Sequence, residues 1–342
     1  MSYRIIDVDE REYQSAYGLP KLLAKVAAAS KLDSDKIRQL REPGSVRTSE
    51  DACVKQAVER IVQARNNHEK VFIGGDYDAD GICATAIMKR TLDRLGITNG
   101  YYIPDKLKEG YGLSAKTVQM AHDKGYSLII TVDNGVKAFE AIEAAHALGM
   151  EVIVTDHHVI EEEVQADIVV HPDYMDEEYS TLSGAGVALE ISRLLIGNDV
   201  DSIVLASVAA IGDVMPLWKA TRSIVYEGLQ YLNNGAMRPL RRLVQGQVID
   251  ETAVAFEIVP KLNAISRMDD DSNVNTLVRY LLLQDERQIE SYACQLEKVN
   301  TNRKNLSRRM TEKAEKLLTD DDFQLLYDSS FAAGVSGLVA GK

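Results

Sequence analysis

Apolar residues in the first part of the chain recur at three- and four-residue spacing, and from Lys70 the period changes to that of strands. LPKLLAKVAAA and EDACVKQAVERIVQAR predict a helical leader over residues 1–66. Turn chemistry at Arg41-Glu42-Pro43-Gly44-Ser45 separates the two stretches, and Thr48 or Ser49 is the expected cap of the second. VFIGG is a short β-type run, after which GICATAIMKRTLDRLG returns to a helical pattern. The alternation continues through GYYIPD, an amphipathic stretch from Ser114 to Lys124, SLIITVDNG, a helix across Ala138 to Leu148, EVIVTDHH and DIVVHPD. Strands alternating with helices of roughly 10–15 residues predict an α/β fold, a mainly parallel sheet with helices on both faces.

Beyond Gly184 the pattern is mostly helical, through GVALEISRLLIG, DSIVLASVAAIGD and TRSIVYEGLQYLNNG. A long helix is expected from Asp285 to Leu318, where Ile289, Tyr292, Leu296, Val299, Leu306, Met310, Ala314 and Leu317 form one stripe. Asn302, Arg303 and Lys304 interrupt it, as the exposed middle of a linker between two lobes would. The final segment, FQLLYDSSFAAGVSGLVAGK, reads as a strand, a turn and the start of a helix that stops, hence as a truncated unit. The expected division is a helical leader (1–66), an α/β core (67–284), a connecting helix (285–320) and the opening of a further domain (321–342).

At 342 residues and 45% hydrophobic content the chain can bury a large core. It lacks an apolar run of the roughly 20 residues a membrane span needs, and MSYRIIDVDERE is too charged for a signal peptide. A cytoplasmic protein without a membrane partner is the expectation. Cys53, Cys83 and Cys294 are odd in number and far apart, which suits reduced thiols in apolar surroundings rather than a zinc or redox site. The net charge of −13 argues at face value against nucleic acid. That charge is an average, however, and a site for divalent cations needs local carboxylates that bound metal offsets. Two basic stretches, Arg238 with Arg241 and Arg242, and Arg303 with Lys304, Arg308 and Arg309, read as solvated helix faces.

Candidate chemistry sits in four acidic signatures, each after an apolar run: GDYDADG (Gly75 to Gly81), TVDNG (Thr131 to Gly135), TDHH (Thr155 to His158) and GDVMPL (Gly212 to Leu217). Asp76, Asp78 and Asp80 alternate where their mutual repulsion is destabilising unless cations lie among them. An EF-hand is excluded, because position 12 counted from Asp76 is Ile87 rather than Glu. Asp133 and the triplet Asp156, His157, His158 end Ile- and Val-rich strands, and the carboxyl ends of strands in open α/β sheets are where ligands bind. Consecutive histidines on an extended chain face different ways, so one is expected to ligate and the other to adjoin substrate, with Asp156 orienting an imidazole. Asp213 ends an apolar helix, an odd place for an unpaired carboxylate. Carboxylate and imidazole ligands without thiolate favour manganese or magnesium.

These motifs together resemble the DHH phosphoesterase superfamily and, within it, the RecJ-type single-strand-specific exonucleases. DKLKEGYGLS (Asp105 to Ser114), SGAGVALE (Ser183 to Glu190) and PKLNAISRM (Pro260 to Met268) match RecJ-type motifs in the right order, and the similarity runs over residues 20–342. The resemblance implies that Asp78, Asp80, Asp133, His157 and Asp213 are metal ligands for two manganese or magnesium ions. It makes Asp76 and Asp156 supporting carboxylates, His158 a phosphate-side group, and Asn263 and Arg267 contacts to backbone phosphate. Gly184 and Gly186 flank a turn whose amides are expected to meet a second phosphate. Two departures stand out: Gly74 occupies a position where many superfamily members have a ligand histidine, which predicts a more open metal position, and LNAISR replaces the usual LNAAGR. The GVSGLVAGK end resembles the opening of a DHH-associated domain.

The implied activity is 5′ to 3′ hydrolysis of single-stranded DNA in repair or recombination, with a single-strand-binding protein or helicase as further partners. One alternative keeps the metals and changes the substrate to short oligoribonucleotides, cyclic dinucleotides or pyrophosphate. Another is a non-catalytic DHH-derived nucleic-acid-binding scaffold, against which the retained carboxylates argue.

Overall fold

The computed structural model describes residues 8–44, 47–106, 108–110, 112–268, 273–319 and 323–341. Residues 1–7 of the expected leader, Ser45 of the expected turn, Leu107 and Tyr111 of DKLKEGYGLS, and residues 321, 322 and 342 of the terminal unit lie outside the described residues. The leader folds as four helices, α1 (Arg11–Tyr17), α2 (Lys21–Ala29), α3 (Ser34–Arg41) and α4 (Ala52–Asn66). Asp33 caps α3 by accepting from Lys36 N–H. Asp51, rather than Thr48 or Ser49, holds the N-cap position of α4, and the Ser49 hydroxyl bonds to the Asp51 carboxylate at 2.6 Å.

The five strands expected in the α/β core form: β1 (Val71–Gly74), β2 (Asn99–Tyr102), β3 (Leu128–Val132), β4 (Glu151–Thr155) and β5 (Ile168–Val170). They make one parallel sheet in the order β2-β1-β3-β4-β5. Side chains alternate across it. Ile73, Leu128, Ile130, Val132 and Ile153 pack with α4 and with α5 (Ala79–Arg94), whereas Phe72, Ile129, Val152 and Val154 pack with α6 (Ala115–Asp123) and α7 (Phe139–Ala147). Strands buried on both faces explain the near-continuous Ile and Val runs. The α/β fold with helices on both faces is thus the observed one. The chain leaves β1 toward β2 on one side and returns to β3 on the other, so the order reverses between β1 and β3. A crevice opens at the carboxyl ends of strands at such a switch point.

The first face is completed by α8 (Gly184–Ile196) and α9 (Val200–Gly212), followed by α10 (Lys219–Asn233) and α11 (Arg238–Arg242). A helical turn, α12 (Glu251–Ala253), runs through a π-helical stretch (Val254–Ile258) into α13 (Val259–Ile265). Then come α14 (Asn275–Leu281), the 30-residue α15 (Glu286–Glu315), capped by Asp285, and α16 (Ala333–Ala340). The apolar stripe of α15 is buried at Ile289, Leu296, Met310 and Ala314; Asn302 and Lys304 are exposed, but Arg303 is half-buried. The strand expected in FQLLYDSS does not form: Phe323, Leu325 and Tyr327 alternate correctly but are exposed, and among the described residues no neighbouring strand pairs with them. A buried ion pair fixes the leader to α8. Glu190 accepts from Ser49 N–H at 2.6 Å and from Arg193 Nη1 at 3.0 Å.

Candidate metal centre

β1 and β3, the strands at the switch point, deliver the first carboxylates. Asp76 follows β1 and is buried, and Asp78 caps α5 with its Oδ1 accepting from Asp80 N–H and Gly81 N–H. Gly81 is required here, because a Cβ would lie 2.6 Å from the Asp76 backbone. Asp133 follows β3 in the left-handed region, at φ +62°, and Val214 after Asp213 has φ +56°. Such strain at a β-branched residue persists only where surrounding structure holds it, and it clusters at functional sites.

His157, after β4, turns its Nε2 into the crevice, 3.1 Å from Asp133 Oδ1 and 3.6 Å from both Asp80 Oδ2 and Asp213 Oδ2. Donor atoms of Asp76, Asp78 and Asp133 lie within 4.8 Å of one another, as do those of Asp80, His157 and Asp213, and those of Asp133, His157 and His158. Asp133 and His157 each belong to two of the sets. The structure therefore brings together all five sequence-predicted ligands and Asp76.

Neighbouring residues fix these groups. Asp80 receives three hydrogen bonds from the start of α8: Ser183 Oγ at 3.0 Å, Gly184 N–H at 2.8 Å and Ala185 N–H at 2.8 Å. The Gly184 amide is thus committed to Asp80, and the Gly186 amide donates to Ser183 Oγ at 3.3 Å. This corrects the expectation that both meet a substrate phosphate. Gly184 is needed for another reason, since a Cβ there would fall 2.4 Å from Asp133 Oδ1. Asp156 accepts from the amides of Val136, His157 and His158, and from His158 Nδ1 at 2.8 Å. It orients the second imidazole, which is half-exposed at the crevice. Sequence reasoning missed His171, whose buried ring bonds to the His158 carbonyl at 2.8 Å. It also missed Ser183, although a Ser before an apolar helix is an N-cap signal.

The electrostatics match a cation site. Burial first, then Asp78, pushes Asp76 up to about 7; burial raises Asp80 to about 6 and Asp133 well above the carboxylate range, the other carboxylates adding to the rise. Asp213 is raised chiefly by desolvation. Asp156 is lowered, because hydrogen bonds from His158 and backbone amides outweigh its burial, and the Asp156 bond lifts His158 to about 9. Asp76 Oδ1, Asp133 Oδ1 and His157 Nε2 are buried without a hydrogen-bond partner. Buried polar atoms are rarely left so, and three hard or borderline donors around one crevice fit divalent cations.

Leu113 packs beside Gly74: a Cβ at Gly74 would lie 3.3 Å from Leu113 Cδ1. Asn263 on α13 has a buried Oδ1 without partner, and Arg267 lies in the turn after α13. Neither hydrogen-bonds to the carboxylates among the described residues. Val259, at the start of α13, does reach the site's edge, since a Cβ on Gly212 would lie 3.2 Å from it and 3.4 Å from Ala79.

Residues 70–212, which hold every donor of the cluster except Asp213, match the family described as "DHH family, N-terminal domain". The chain is a RecJ-like member of the DHH family. It is 34% identical over 302 residues to the single-stranded-DNA-specific exonuclease RecJ of Bacillus subtilis, an alignment covering 84% of this chain and 38% of that protein. With the Escherichia coli RecJ the identity is 28%, covering 95% and 62%. A crystal structure of RecJ from Thermus thermophilus in complex with Mn2+ superposes with a TM-score of 0.81 at 28% identity, covering 97% of this chain and 50% of that one. This DHH-family chain spans about half the length of the curated relatives it matches, 38% and 62% of the two named.

Proposed function

We propose that the chain is a metal-dependent phosphodiesterase that hydrolyses single-stranded DNA from its 5′ end, using two manganese or magnesium ions. The observation that carries this reading is the convergence of donors from four separated segments on one crevice, with Asp76 Oδ1, Asp133 Oδ1 and His157 Nε2 buried without a hydrogen bond. RecJ structures in complex with Mn2+ and with Mg2+ support the choice of ions. Asp78, Asp80, Asp133, His157 and Asp213 would hold them, with Asp133 shared. When bound, such ions lower the pKa of water and offset charge on the attacking and leaving oxygens of an in-line displacement.

The chain's own residues do the rest. The start of α8 holds the Asp80 carboxylate in one orientation, which pre-sets the site. His158, kept charged near neutrality by Asp156, can donate to a phosphate oxygen. On the flank of the acidic loop, Lys106 donates to Tyr77 Oη at 2.6 Å and lies over its ring. Lys106 lines a cleft of 520 Å3 with Lys108, Lys116, Ser266 and Met268. Lys108 and Lys116 pair with Asp105 and Glu109 in the same cleft, so in this reading Lys106, beside the acidic loop, is the lysine that meets a polyanion on its way to bound cations, despite the net negative charge. Asn263 on α13 and Arg267 just after it take backbone phosphate in this reading, which needs no base recognition. A helicase that supplies single strands and a single-strand-binding protein that occupies them are the protein partners such an activity implies, in the cytoplasm. No helix among the described residues is long and apolar enough to cross a membrane.

A digestion time course on 5′-labelled single-stranded DNA, duplex DNA and RNA with added manganese tests this. Release of labelled mononucleotide from the single-stranded DNA alone is expected. Preference for RNA, cyclic dinucleotides or pyrophosphate would move the chain to another DHH branch, and no hydrolysis of any substrate would leave a binding scaffold.

A further inference from the structure

The seam between α13 and α15 holds three buried polar atoms without partners, Asn263 Oδ1, Asn300 Oδ1 and Arg303 Nε. The two segments run in a fixed register. Lys261 on α13 is paired with Glu297 on α15, and the same offset further along sets Arg267 against Arg303. Arg303 feels both burial and the charge of Arg267, which together weaken its hold on its proton. Among the described residues neither guanidinium is in an ion pair, whereas Lys261, at the other end of the seam, has its carboxylate.

The third wall is α16. A Cβ on Gly334 would lie 2.1 Å from the Arg267 carbonyl oxygen, so the first turn of α16 sits directly on Arg267. The contact is with the Arg267 backbone, and the helix opens without a side-chain cap, its N-cap Ala332 N–H donating to Met310 Sδ at 3.4 Å. Two like charges and an unsatisfied guanidinium N–H gathered on one seam are destabilising by themselves. An anion with several acceptor oxygens relieves all of them. The planar guanidinium fork fits a phosphate better than a point charge does.

We propose that Arg303 and Arg267, closed over by the first turn of α16, form a phosphate-binding site on the α13–α15 seam, occupied by a phosphodiester of the single strand other than the one being cleaved. This rests on the single-strand nuclease reading and extends it to a residue that the basic pattern alone places on a solvated helix face. The strand enters the carboxylate crevice near the start of α13 and is held again past its end. From Val259 to Arg267 this is roughly 12 Å of helical rise.

The test uses Arg303→Gln and Arg303→Ala in the full chain. Anisotropy on a labelled oligodeoxythymidylate in EDTA, across a salt series, should show affinity falling about tenfold and the log–log salt slope falling by about 0.7, one phosphate contact. The ligand-free melting temperature should stay level or rise, because repulsion with Arg267 is removed, and manganese stoichiometry should not change. In EDTA, inorganic pyrophosphate should raise the melting temperature of the wild type and not of Arg303→Gln. Unchanged affinity and slope in Arg303→Gln overturn the site, as does a lowered ligand-free melting temperature with normal DNA binding, which would make Arg303 a packing residue. Should the wild type not degrade single-stranded DNA with manganese, the nuclease reading fails and the pyrophosphate arm decides alone: equal stabilisation of wild type and variant, or none of either, removes the site.

Discussion

Replacing Gly184 with Ala probes the centre most directly, because this glycine lies where α8 touches Asp133 while its amide holds Asp80. The added methyl would sit 2.4 Å from Asp133 Oδ1, 2.5 Å from its Cβ and 2.7 Å from its Cα. The last of these is backbone, so no rotamer change of Asp133 removes the overlap and α8 itself must shift. Overpacking of this kind costs about 1–3 kcal/mol. A shift that pulls the amide off the Asp80 carboxylate, now 2.8 Å away, adds about 1.5–3 kcal/mol for a lost charge-assisted bond. Ala gains helix propensity over Gly, but by only about 1 kcal/mol, so destabilisation wins.

At about 1.4 °C per kcal/mol for a chain of 342 residues, from an unfolding entropy of about 2.1 cal/mol/K per residue, the variant should melt a few degrees below wild type in EDTA, and calorimetry should show weakened manganese binding. Gly186→Ala is the control. Its nearest contact is the flexible Leu182 Cδ2 at 3.0 Å, and a small change with normal manganese binding is expected. A Gly184→Ala protein with wild-type melting and a wild-type manganese isotherm would refute the packing of α8 on Asp133 and its hold on Asp80.

Asp133→Asn removes one anion from a buried repelling set at a left-handed position that Asn tolerates; its metal-free melting temperature should equal or exceed wild type while manganese binding and hydrolysis are lost. Melting curves in EDTA together with a digestion assay check both halves. Metal-free stability should fall as pH rises from about 5 to 8. Asp76 and Asp80, at about 7 and about 6 when folded, bind protons more tightly than in the unfolded chain, so their contribution is complete below about 4 and lost as pH passes through the folded values. His158, at about 9, acts in the same direction higher up. Saturating manganese displaces those protons and should flatten or reverse the trend; a metal-free melting temperature that climbs from pH 6 to 8 would contradict the raised carboxylates. Glu190→Ala leaves the Ser49 amide without its buried acceptor and the buried Arg193 without its carboxylate, with only neutral acceptors such as the Arg47 carbonyl and Asn198 Oδ1 remaining, and should cost about 3–5 kcal/mol, read by urea unfolding, with less loss in Glu190→Gln.

The parts of the fold that can be read from the sequence are those whose signal is local. Four of the five strands are visible as Ile-, Val- or Phe-rich runs because both faces of the sheet are covered, and Asp76, Asp133 and Asp156 are visible because each closely follows such a run. α3 is hidden in SDKIRQLR, whose single buried apolar residue, Ile37, makes no stripe. FQLLYDSS carries the alternation of a strand, yet alternation supplies no partner and hydrogen bonding decides. The hold on Asp80 by Ser183, Gly184 and Ala185 joins residues more than 100 apart, so the small residues of SGAG could be read only as a phosphate turn. Their role follows from close packing: Gly184 is small because Asp133 is there, and its amide is free to serve Asp80 because α8 begins at that point. The same reasoning separates Arg303 from the other arginines of its basic run. Spacing puts it in an exposed helix middle, but the register of α13 on α15 turns it toward Arg267, where a buried donor without an acceptor marks a place the protein leaves for an anion.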